Sequence, residues 1–316
     1  MGIEFIKCHG SGNDFVMVDG SKEGIGFTAD DFARFTRSIC DRRGPVGADG
    51  TLFVLPGTTA DVRMRIFNSD GSEAEMCGNG IRCVARLASE KLGQTVVTVE
   101  TARGILECRR ENNIFEGVDS YSVLIDNVSF ISPDFPIGGG EMFFNRPIKR
   151  LSQTALFTFI SLGNPHIVSF MEGKINGEEL LAAGICANED KELFPNGVNV
   201  TFFTLKDKQV IYTETYERGV GLTFACGTAM SACSIVACMD GLCETGKWID
   251  VRNKGGMVKC LVSELSGKLN VRLLGNATFD YTANADFTEG KINLHPGKVF
   301  HGEETDAYSR FLDKCQ

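Results

Sequence analysis

The chain has 316 residues, of which 43% are hydrophobic, and a formal net charge of −9. This length favours about two domains, and the hydrophobic content is typical of a folded protein rather than a disordered one. The acidic balance argues against nucleic acid and anionic membranes as partners. The sequence shows no apolar run of about 18 residues that would predict a membrane span, and no secretion signal. We therefore expect a cytoplasmic protein.

The first half opens with a pattern of strands around one turn and one helix. Alternating apolar residues predict strands over residues 3–8 and 15–19, and residues 28–39 have helical spacing with Thr28 as a candidate N-cap. Further strands are expected over residues 51–55, 63–68, 94–100 and 104–109.

The second half repeats this order of parts. Residues 132–150 are rich in Gly and Pro and predict a linker or a long loop. Strands are then expected over residues 155–161, 167–170, 199–203, 211–217, 247–252, 257–262 and 269–274. The pattern predicts an α+β fold with one central helix in each half, whereas the polar tail after about residue 290 indicates no role.

Cysteine is unusually frequent, with twelve residues against four histidines. In a long chain without a secretion signal, reduced thiols are the simpler interpretation than a disulfide framework. No Cys-x-x-Cys pair occurs, and the histidines (His9, His166, His295 and His301) are not paired at ligand spacing. We expect no metal.

Two cysteines stand at matching places, about half the chain apart. Cys77 begins a Cys-Gly-Asn-Gly stretch and Cys226 a Cys-Gly-Thr stretch, and each opens onto an apolar, helix-like run. The first N–H groups of a helix bind anions, and the helix dipole favours thiolate over thiol. Our hypothesis is that the two sulfur atoms face each other across a cleft, one as acid and one as base.

One such cysteine alone could be a nucleophile, but a matched pair fits racemisation better. Inverting an amino acid needs a base on one face of Cα and an acid on the other. Donors must also stabilise the charge that develops on the substrate carboxylate, and the candidates are the backbone N–H groups of Gly78, Asn79, Gly227 and Thr228. The plain alternative is that both cysteines are inert small core residues.

Several stretches also resemble one known family, in family order over roughly residues 1–280. They are residues 9–15 (HGSGNDF), 47–50 (GADG), 67–83 (FNSDGS through CGNGIRC), 163–166 (GNPH), 196–199 (NGVN) and 216–228 (YERG through ACGT). The chain is similar to the diaminopimelate epimerases, which are cofactor-independent two-cysteine epimerases.

The resemblance implies two pseudo-symmetric domains, each a mostly antiparallel sheet wrapped around a central helix. The expected limits are residues 1–126 plus about 280–316 for the first domain, and 127–279 for the second. The implied activity is interconversion of LL- and meso-2,6-diaminopimelate by thiol and thiolate, in lysine and peptidoglycan-precursor biosynthesis. The implied partner is the small-molecule substrate, and the resemblance allows for a homodimer.

The resemblance also implies roles for individual residues. Cys77 and Cys226 correspond to the acid/base pair, with His166 and Glu217 beside them setting their protonation. Arg218 suits a distal carboxylate, because a guanidinium pairs with it through two hydrogen bonds. The full set of residues expected to hold the substrate is Asn13, Asn68, Gly78, Asn79, Asn164, Asn199, Glu217, Arg218, Gly227 and Thr228.

The chain departs from the family pattern next to the second cysteine. The family usually has Glu at the position of Leu222, and Gly-Ala at the positions of Ala229 and Met230. Two alternatives to the main interpretation therefore remain open. One is a related racemase of another amino acid, such as histidine or lysine, and the other is a non-catalytic relative that binds an amino acid.

Overall fold

One order of strands and helices occurs twice along the chain. The computed structural model describes residues 2–21, 25–133, 135–223, 226–265 and 267–315. It divides into two compact units, Met1–Val123 with Leu274–Gln316, and Leu124–Leu273. The domain limits expected from the sequence stay a prediction, and each unit is described by itself.

The first part of the chain contains two helices and eight strands among the described residues. They are β1 (Gly2–Gly10), β2 (Asn13–Asp19), α1 (Ala29–Cys40), β3 (Gly50–Pro56), β4 (Val62–Asn68), β5 (Glu73–Ala74), α2 (Gly78–Leu92), β6 (Val96–Thr101), β7 (Gly104–Arg110) and β8 (Ser120–Ile125). The elements that follow are a 3-10 turn (Pro136–Gly138), β9 (Arg146–Pro147), β10 (Leu156–Ser161), β11 (Pro165–Phe170), α3 (Gly177–Glu189), β12 (Asn199–Asp207), β13 (Val210–Glu217), β14 (Gly221–Thr223), α4 (Gly227–Met239), β15 (Trp248–Asn253) and β16 (Gly256–Leu265). The chain closes with β17 (Lys268–Asn276), β18 (Thr278–Thr288), β19 (Lys291–Leu294), β20 (Val299–Phe300) and α5 (Gly302–Cys315).

The order from β1 to β7 matches the order from β10 to β16 element by element. Strand β2 pairs in parallel with β3, and β11 with β12; β4 pairs in parallel with β6, and β13 with β15. The other pairs of this repeat are antiparallel, including the short strands β5 on β4 and β14 on β13. The predicted α+β fold with a repeated, mostly antiparallel sheet is confirmed.

Each unit buries one helix almost completely. In α2 every residue from Gly78 to Ser89 is buried, and in α4 every residue from Gly227 to Ala237. A helix that is buried on all sides must be surrounded by other elements, so these are the central helices that the sequence predicted.

The helices differ in how they begin. Helix α1 starts with the predicted N-cap Thr28, which forms a capping box with Asp31, and α3 starts with the N-cap Asn176. Helices α2 and α4 start instead with Cys77 and Cys226, whose side chains accept no hydrogen bond from the backbone N–H groups of the first turn. The two buried helices therefore lack the usual side-chain cap.

The structure adds elements that the sequence pattern did not reveal. Helix α3 was not predicted, and the tail after residue 290 forms β19, β20 and α5. Residues 132–150 are largely loop, as expected, but they are no detached linker, because Phe135, Phe143 and Ile148 are buried in the core of the second unit. Asp134 lies outside the described residues. In the described ranges, no helix is long and apolar enough to cross a membrane.

Helix α3 packs on β13 through a glycine. A Cβ atom built on Gly184 would lie 2.2 Å from Cγ of the Tyr216 ring, whereas one built on Gly177 at the start of α3 meets nothing within 4 Å. The close approach of helix and strand at this point therefore depends on a missing side chain.

We expect Gly184→Ala to lower the free energy of unfolding by about 1–3 kcal/mol. The steric cost of the added methyl group against Tyr216 should exceed the stability that alanine gains over glycine in a helix. Gly177→Ala, the control in the same helix, is expected to be neutral or stabilising by up to about 1 kcal/mol. Urea unfolding of both variants measures the difference. Equal stability of the two would contradict the packing described here.

Candidate active site

Cys77 occupies the N-cap of the first central helix. Its backbone is extended, with φ −141° and ψ 120°, and its carbonyl oxygen accepts from the Ile81 N–H at 3.0 Å, which starts the helix. The side chain is partly exposed. Its Sγ lies 3.6 Å from Oδ1 of Asn13, to which it can donate.

Asn13 links Cys77 to two further polar groups. Its Oδ1 also accepts from Nδ2 of Asn79 at 3.4 Å, and its own Nδ2 donates to Oδ2 of Asp49 at 2.9 Å. Asn13 and Asn79, both predicted as site residues, therefore lie together at the start of α2. Asn68, at the end of β4, is exposed and donates to Ser72 Oγ at 3.0 Å, so that its amide holds the turn before the cysteine.

A group of charged residues supports Asn13 from the outside. Arg42 donates to Asp14 at 2.6 Å and to Asp49 at 2.8 Å, and Lys7 also pairs with Asp14. Burial opposes ionisation of Asp14, but the hydrogen bonds from Arg42 and Lys7 outweigh it and lower its pKa to about 2. None of these four residues was predicted. Asp14 and Asp49 could have been found from the sequence, because they lie inside the stretches that match the family. Lys7 and Arg42 lie outside those stretches, and no sequence pattern pointed to them.

Cys226 has the matching position at the start of the second central helix. Its backbone is also extended, with φ −124° and ψ 106°, and its carbonyl oxygen accepts from the Met230 N–H at 3.0 Å. The residue is 8% exposed, and its Sγ lies 3.5 Å from the hydroxyl oxygen of Thr228. Phe224 and Ala225, which precede it in the motif, lie outside the described residues.

Asn164 and His166 continue from Thr228. Nδ2 of Asn164 donates to the Thr228 hydroxyl at 3.2 Å, and Oδ1 of Asn164 lies 3.0 Å from Nε2 of His166. Because an amide oxygen only accepts, this Nε2 carries the proton of a neutral ring. Burial, helped by the positive charge of Arg218, lowers the pKa of His166 to about 3, so the ring is neutral above that pH.

Glu217 lies directly beside Cys226. Its carboxylate accepts from the Thr223 hydroxyl at 2.5 Å and forms a hydrogen bond with the Cys226 side chain. Burial raises the pKa of Glu217, and the two hydrogen bonds only partly oppose that shift. A carboxyl group with a raised pKa next to a thiol can hold or return a proton, which fits the role expected for Glu217.

Asn199 and Arg218 are coupled through the backbone. Oδ1 of the buried Asn199 accepts from the Arg218 N–H at 2.8 Å. The Arg218 side chain is exposed, and its Nη1 donates to the Asn196 carbonyl oxygen at 3.1 Å. Asn199 therefore fixes the backbone from which an exposed guanidinium extends.

A pocket of about 200 Å³ opens beside Cys226 within the second unit. Its walls are Thr213, Glu214, Thr215, Leu222, Thr223, Cys226, Asn253 and Lys254. Leu222 is 52% exposed, and Met230 Sδ lies 3.3 Å from Nδ2 of Asn253. Two of the positions that depart from the family pattern, Leu222 and Met230, are thus at or next to this pocket.

The predicted residues fall into two groups, one in each unit. Asn13, Asn68, Cys77, Gly78 and Asn79 belong to the first unit. Asn164, His166, Asn199, Glu217, Arg218, Cys226, Gly227 and Thr228 belong to the second. Among the residues that the structure describes, no group of three or more His, Cys, Asp or Glu side chains could hold a metal ion. The roles of the individual residues remain predictions.

Comparison with known proteins identifies the family. The family model for diaminopimelate epimerase matches residues 5–121 and 158–279. The chain belongs to the diaminopimelate epimerase family. The family predicted from the motifs is thereby confirmed.

Individual relatives in the diaminopimelate epimerase family are similar over nearly their whole length. The diaminopimelate epimerase of Clostridium acetobutylicum is 38% identical over 98% of this chain and 94% of its own. That of Enterococcus faecalis is 39% identical over 92% of this chain and 91% of its own. The chain is thus similar to them in both halves rather than in one domain.

Solved structures with the same fold include more distant proteins. A phenazine biosynthesis protein of the PhzF family from Bacillus anthracis is 19% identical over 91% of this chain and 100% of its own, with a TM-score of 0.64. A hydroxyproline epimerase from Agrobacterium vitis is 15% identical over 90% of each chain, with a TM-score of 0.59. At these identities the similarity shows the fold alone.

The neutral, buried His166 predicts a loss of stability in acid. Its ordinary pKa of 6.5 applies in the unfolded chain, and its pKa is about 3 in the fold. Between these values the unfolded state binds a proton that the folded state does not, so stability falls as the pH falls, by up to about 1.4 kcal/mol per pH unit from this residue.

We expect His166→Gln to make the fall in stability between pH 6.5 and pH 4.5 shallower, because glutamine does not titrate. Thermal unfolding at a series of pH values measures the slope. The control is His295→Gln, since His295 lies against Asp286 in the other unit at 2.8 Å with its side chain 42% exposed. A slope unchanged by His166→Gln would contradict the burial of a neutral ring.

Proposed function

We propose that this chain epimerises 2,6-diaminopimelate at Cα, interconverting the LL and meso forms, with Cys77 and Cys226 exchanging roles as acid and base. Membership in the family makes the chain an isomerase, as the motifs predicted. The observation that carries the proposal is that a cysteine replaces the capping side chain at the start of both central helices.

The start of each helix supplies what the chemistry needs. A Cα–H bond is very weakly acidic, so a base succeeds only if the negative charge that develops on the substrate is stabilised. The first-turn N–H groups of Gly78, Asn79, Gly227 and Thr228 are the candidates for binding the carboxylate. The same helix dipoles favour a thiolate. The proposal requires no cofactor.

The neighbours of Cys226 fit a group that gains and loses a proton. Glu217 is hydrogen-bonded to it, and burial raises the pKa of this carboxyl group. His166 acts at a greater distance, through Asn164 and Thr228, as a neutral donor that fixes their orientation. We assign both residues a supporting role in setting the protonation of the sulfur.

Recognition of the far end of the substrate is assigned to Arg218. Its exposed guanidinium can form a bidentate pair with a carboxylate, and Asn199 holds its backbone. A substrate with a second carboxylate, such as diaminopimelate, would use this pair, and its product would serve lysine and peptidoglycan-precursor biosynthesis. A homodimer and a cytoplasmic location remain predictions.

A second candidate is a racemase of another amino acid, such as histidine or lysine. It is favoured by the apolar Leu222 in the wall of the pocket beside Cys226. A non-catalytic relative that only binds an amino acid is the third, and the presence of both cysteines weighs against it. A panel of amino acids, followed by deuterium incorporation at Cα, separates these candidates.

We expect the chain to exchange the Cα proton of diaminopimelate with deuterated water in the absence of pyridoxal phosphate. Cys77→Ala and Cys226→Ala should each lower the rate of epimerisation at least about 1000-fold, because each removes one of two proton-transfer groups. The matched control is Cys186→Ala, which removes a partly exposed cysteine of α3. Full turnover in either active-site variant would rule out the two-base proposal.

We expect Arg218→Ala to lower kcat/KM for diaminopimelate about 100-fold, since the distal carboxylate loses a charged, two-bond partner. Arg150→Ala is the control, because Arg150 is an exposed arginine of the same unit that pairs with Asp190. Steady-state kinetics give both values. An unchanged kcat/KM in Arg218→Ala would show that the distal group binds elsewhere.

A further inference from the structure

Arg82, one turn into the first central helix, is fully buried, with 0% exposure. Its side chain turns back toward the start of the helix. Nη1 donates to the Gly78 carbonyl oxygen at 2.9 Å, and Nε donates to the Asn276 carbonyl oxygen at 3.0 Å. Nη2 donates to Ser11 Oγ and to Asn79 Oδ1, both at 3.1 Å. One guanidinium therefore ties the first turn of α2 to two other segments of the unit.

Two glycines allow the surrounding backbone to approach this guanidinium closely. A Cβ atom on Gly10 would lie 2.9 Å from Nη2 of Arg82 and 2.7 Å from the Asn79 carbonyl oxygen. A Cβ atom on Gly275 would lie 2.9 Å from Cζ of Arg82. Glycine at both positions permits the close approach, so the site is shaped around the side chain.

Arg82 determines which way the neighbouring amides face. A guanidinium has donors only, so the oxygen of the Asn79 amide must face it and the nitrogen must face away. That nitrogen meets Oδ1 of Asn13. At the other end of Asn13, its nitrogen donates to the carboxylate of Asp49, which only accepts when ionised. Asn79 at one end and Asp49 at the other thus act together to hold Asn13 in this orientation, and loss of the Asn79 contact leaves Asn13 held at one end only.

The consequence reaches the sulfur of Cys77. With Asn13 held in this orientation, Cys77 Sγ meets an amide oxygen rather than an NH₂ group. An oxygen can accept a hydrogen bond from the thiol, but it offers none to a thiolate. The contact therefore favours the protonated form of Cys77 and aims its S–H bond.

We propose that Arg82 is a positioning residue for Cys77, acting through Asn79 and Asn13 on the direction and protonation of the thiol. The inference rests on the proposed function for its meaning in catalysis. The contacts that carry it lie within the first unit.

The test compares Arg82→Lys with Arg86→Lys. Arg86 lies one turn further along α2 and is also buried. It donates to the carbonyl oxygen of Ala277 at 2.7 Å, the residue that follows the Asn276 bonded by Arg82. Its other partners include Glu90 at 2.8 Å and Glu304, and it does not bond the Asn79 side chain. Both substitutions keep the positive charge and lose the planar fork.

Two measurements distinguish positioning from a general loss of stability. In Arg82→Lys we expect kcat to fall about tenfold with KM within about twofold, because the substrate still binds while the thiol is misdirected. We also expect iodoacetamide to alkylate Cys77 about fivefold faster relative to Cys226, read peptide by peptide, because the lost hydrogen bond raises the thiolate fraction. In Arg86→Lys, kcat and the alkylation rate of Cys77 relative to that of Cys226 should both stay at the wild-type value, even if the unfolding temperature of this variant falls.

Asn79→Ala supplies a second variant in case Arg82→Lys does not fold. It should raise the alkylation rate of Cys77 relative to Cys226 in the same way. In the Asn79→Ala background, Arg82→Lys should add little, because both act through one path. Wild-type ratios in Arg82→Lys or in Asn79→Ala, or equal effects of Arg82→Lys and Arg86→Lys, would overturn the proposal. Alkylation needs no turnover, so it tests Arg82 independently, whereas missing deuterium exchange in the wild type would overturn only the proposed function.

Discussion

The start of a buried helix is the constraint on which the candidate site depends. Helices α2 and α4 are enclosed by their units, yet each begins with a cysteine whose side chain does not cap the first turn. The outer helices α1 and α3 use Thr28 and Asn176 in the ordinary way. Omitting the cap costs about 1 kcal/mol at each central helix. The omission leaves the positive end of the helix dipole for a sulfur atom and an anionic ligand.

The two sulfur atoms are alike in backbone position but not in surroundings. Cys77 faces the amide oxygen of Asn13, whose orientation is fixed by charged groups on both sides. Cys226 faces a hydroxyl group, that of Thr228, and a carboxyl group, that of Glu217, whose pKa is raised by burial. A hydroxyl group and a protonated carboxyl group can each donate a hydrogen bond to a thiolate, whereas an amide oxygen cannot. The repeat of the fold thus supplies two equivalent places, and the side chains around them make the places chemically unequal.

The sequence predicted the repeated fold because its signals are local. Alternating strands, the Thr28 cap and the glycines after each cysteine all act within a few residues, and the family motifs marked the central helices. What it missed either lacks a periodic pattern or depends on distant partners. Helix α3 has apolar residues on most of its surface, so its sequence gives little periodic pattern. Arg42 and Lys7 reach Asp14 across 28 and 7 positions, and Arg82 reaches Asn276 across 194. No spacing rule reports such contacts.

The tail, whose role the sequence left open, belongs to the first unit, and Glu304 of α5 pairs with Arg86 of the helix that begins at Cys77. The second unit is a single continuous segment, Leu124–Leu273, whereas the first also needs Leu274–Gln316. During synthesis on the ribosome, all residues of the second unit are therefore made before the last segment of the first unit. The helix that carries Cys77 must therefore wait until α5 has been made before Arg86 can pair with Glu304.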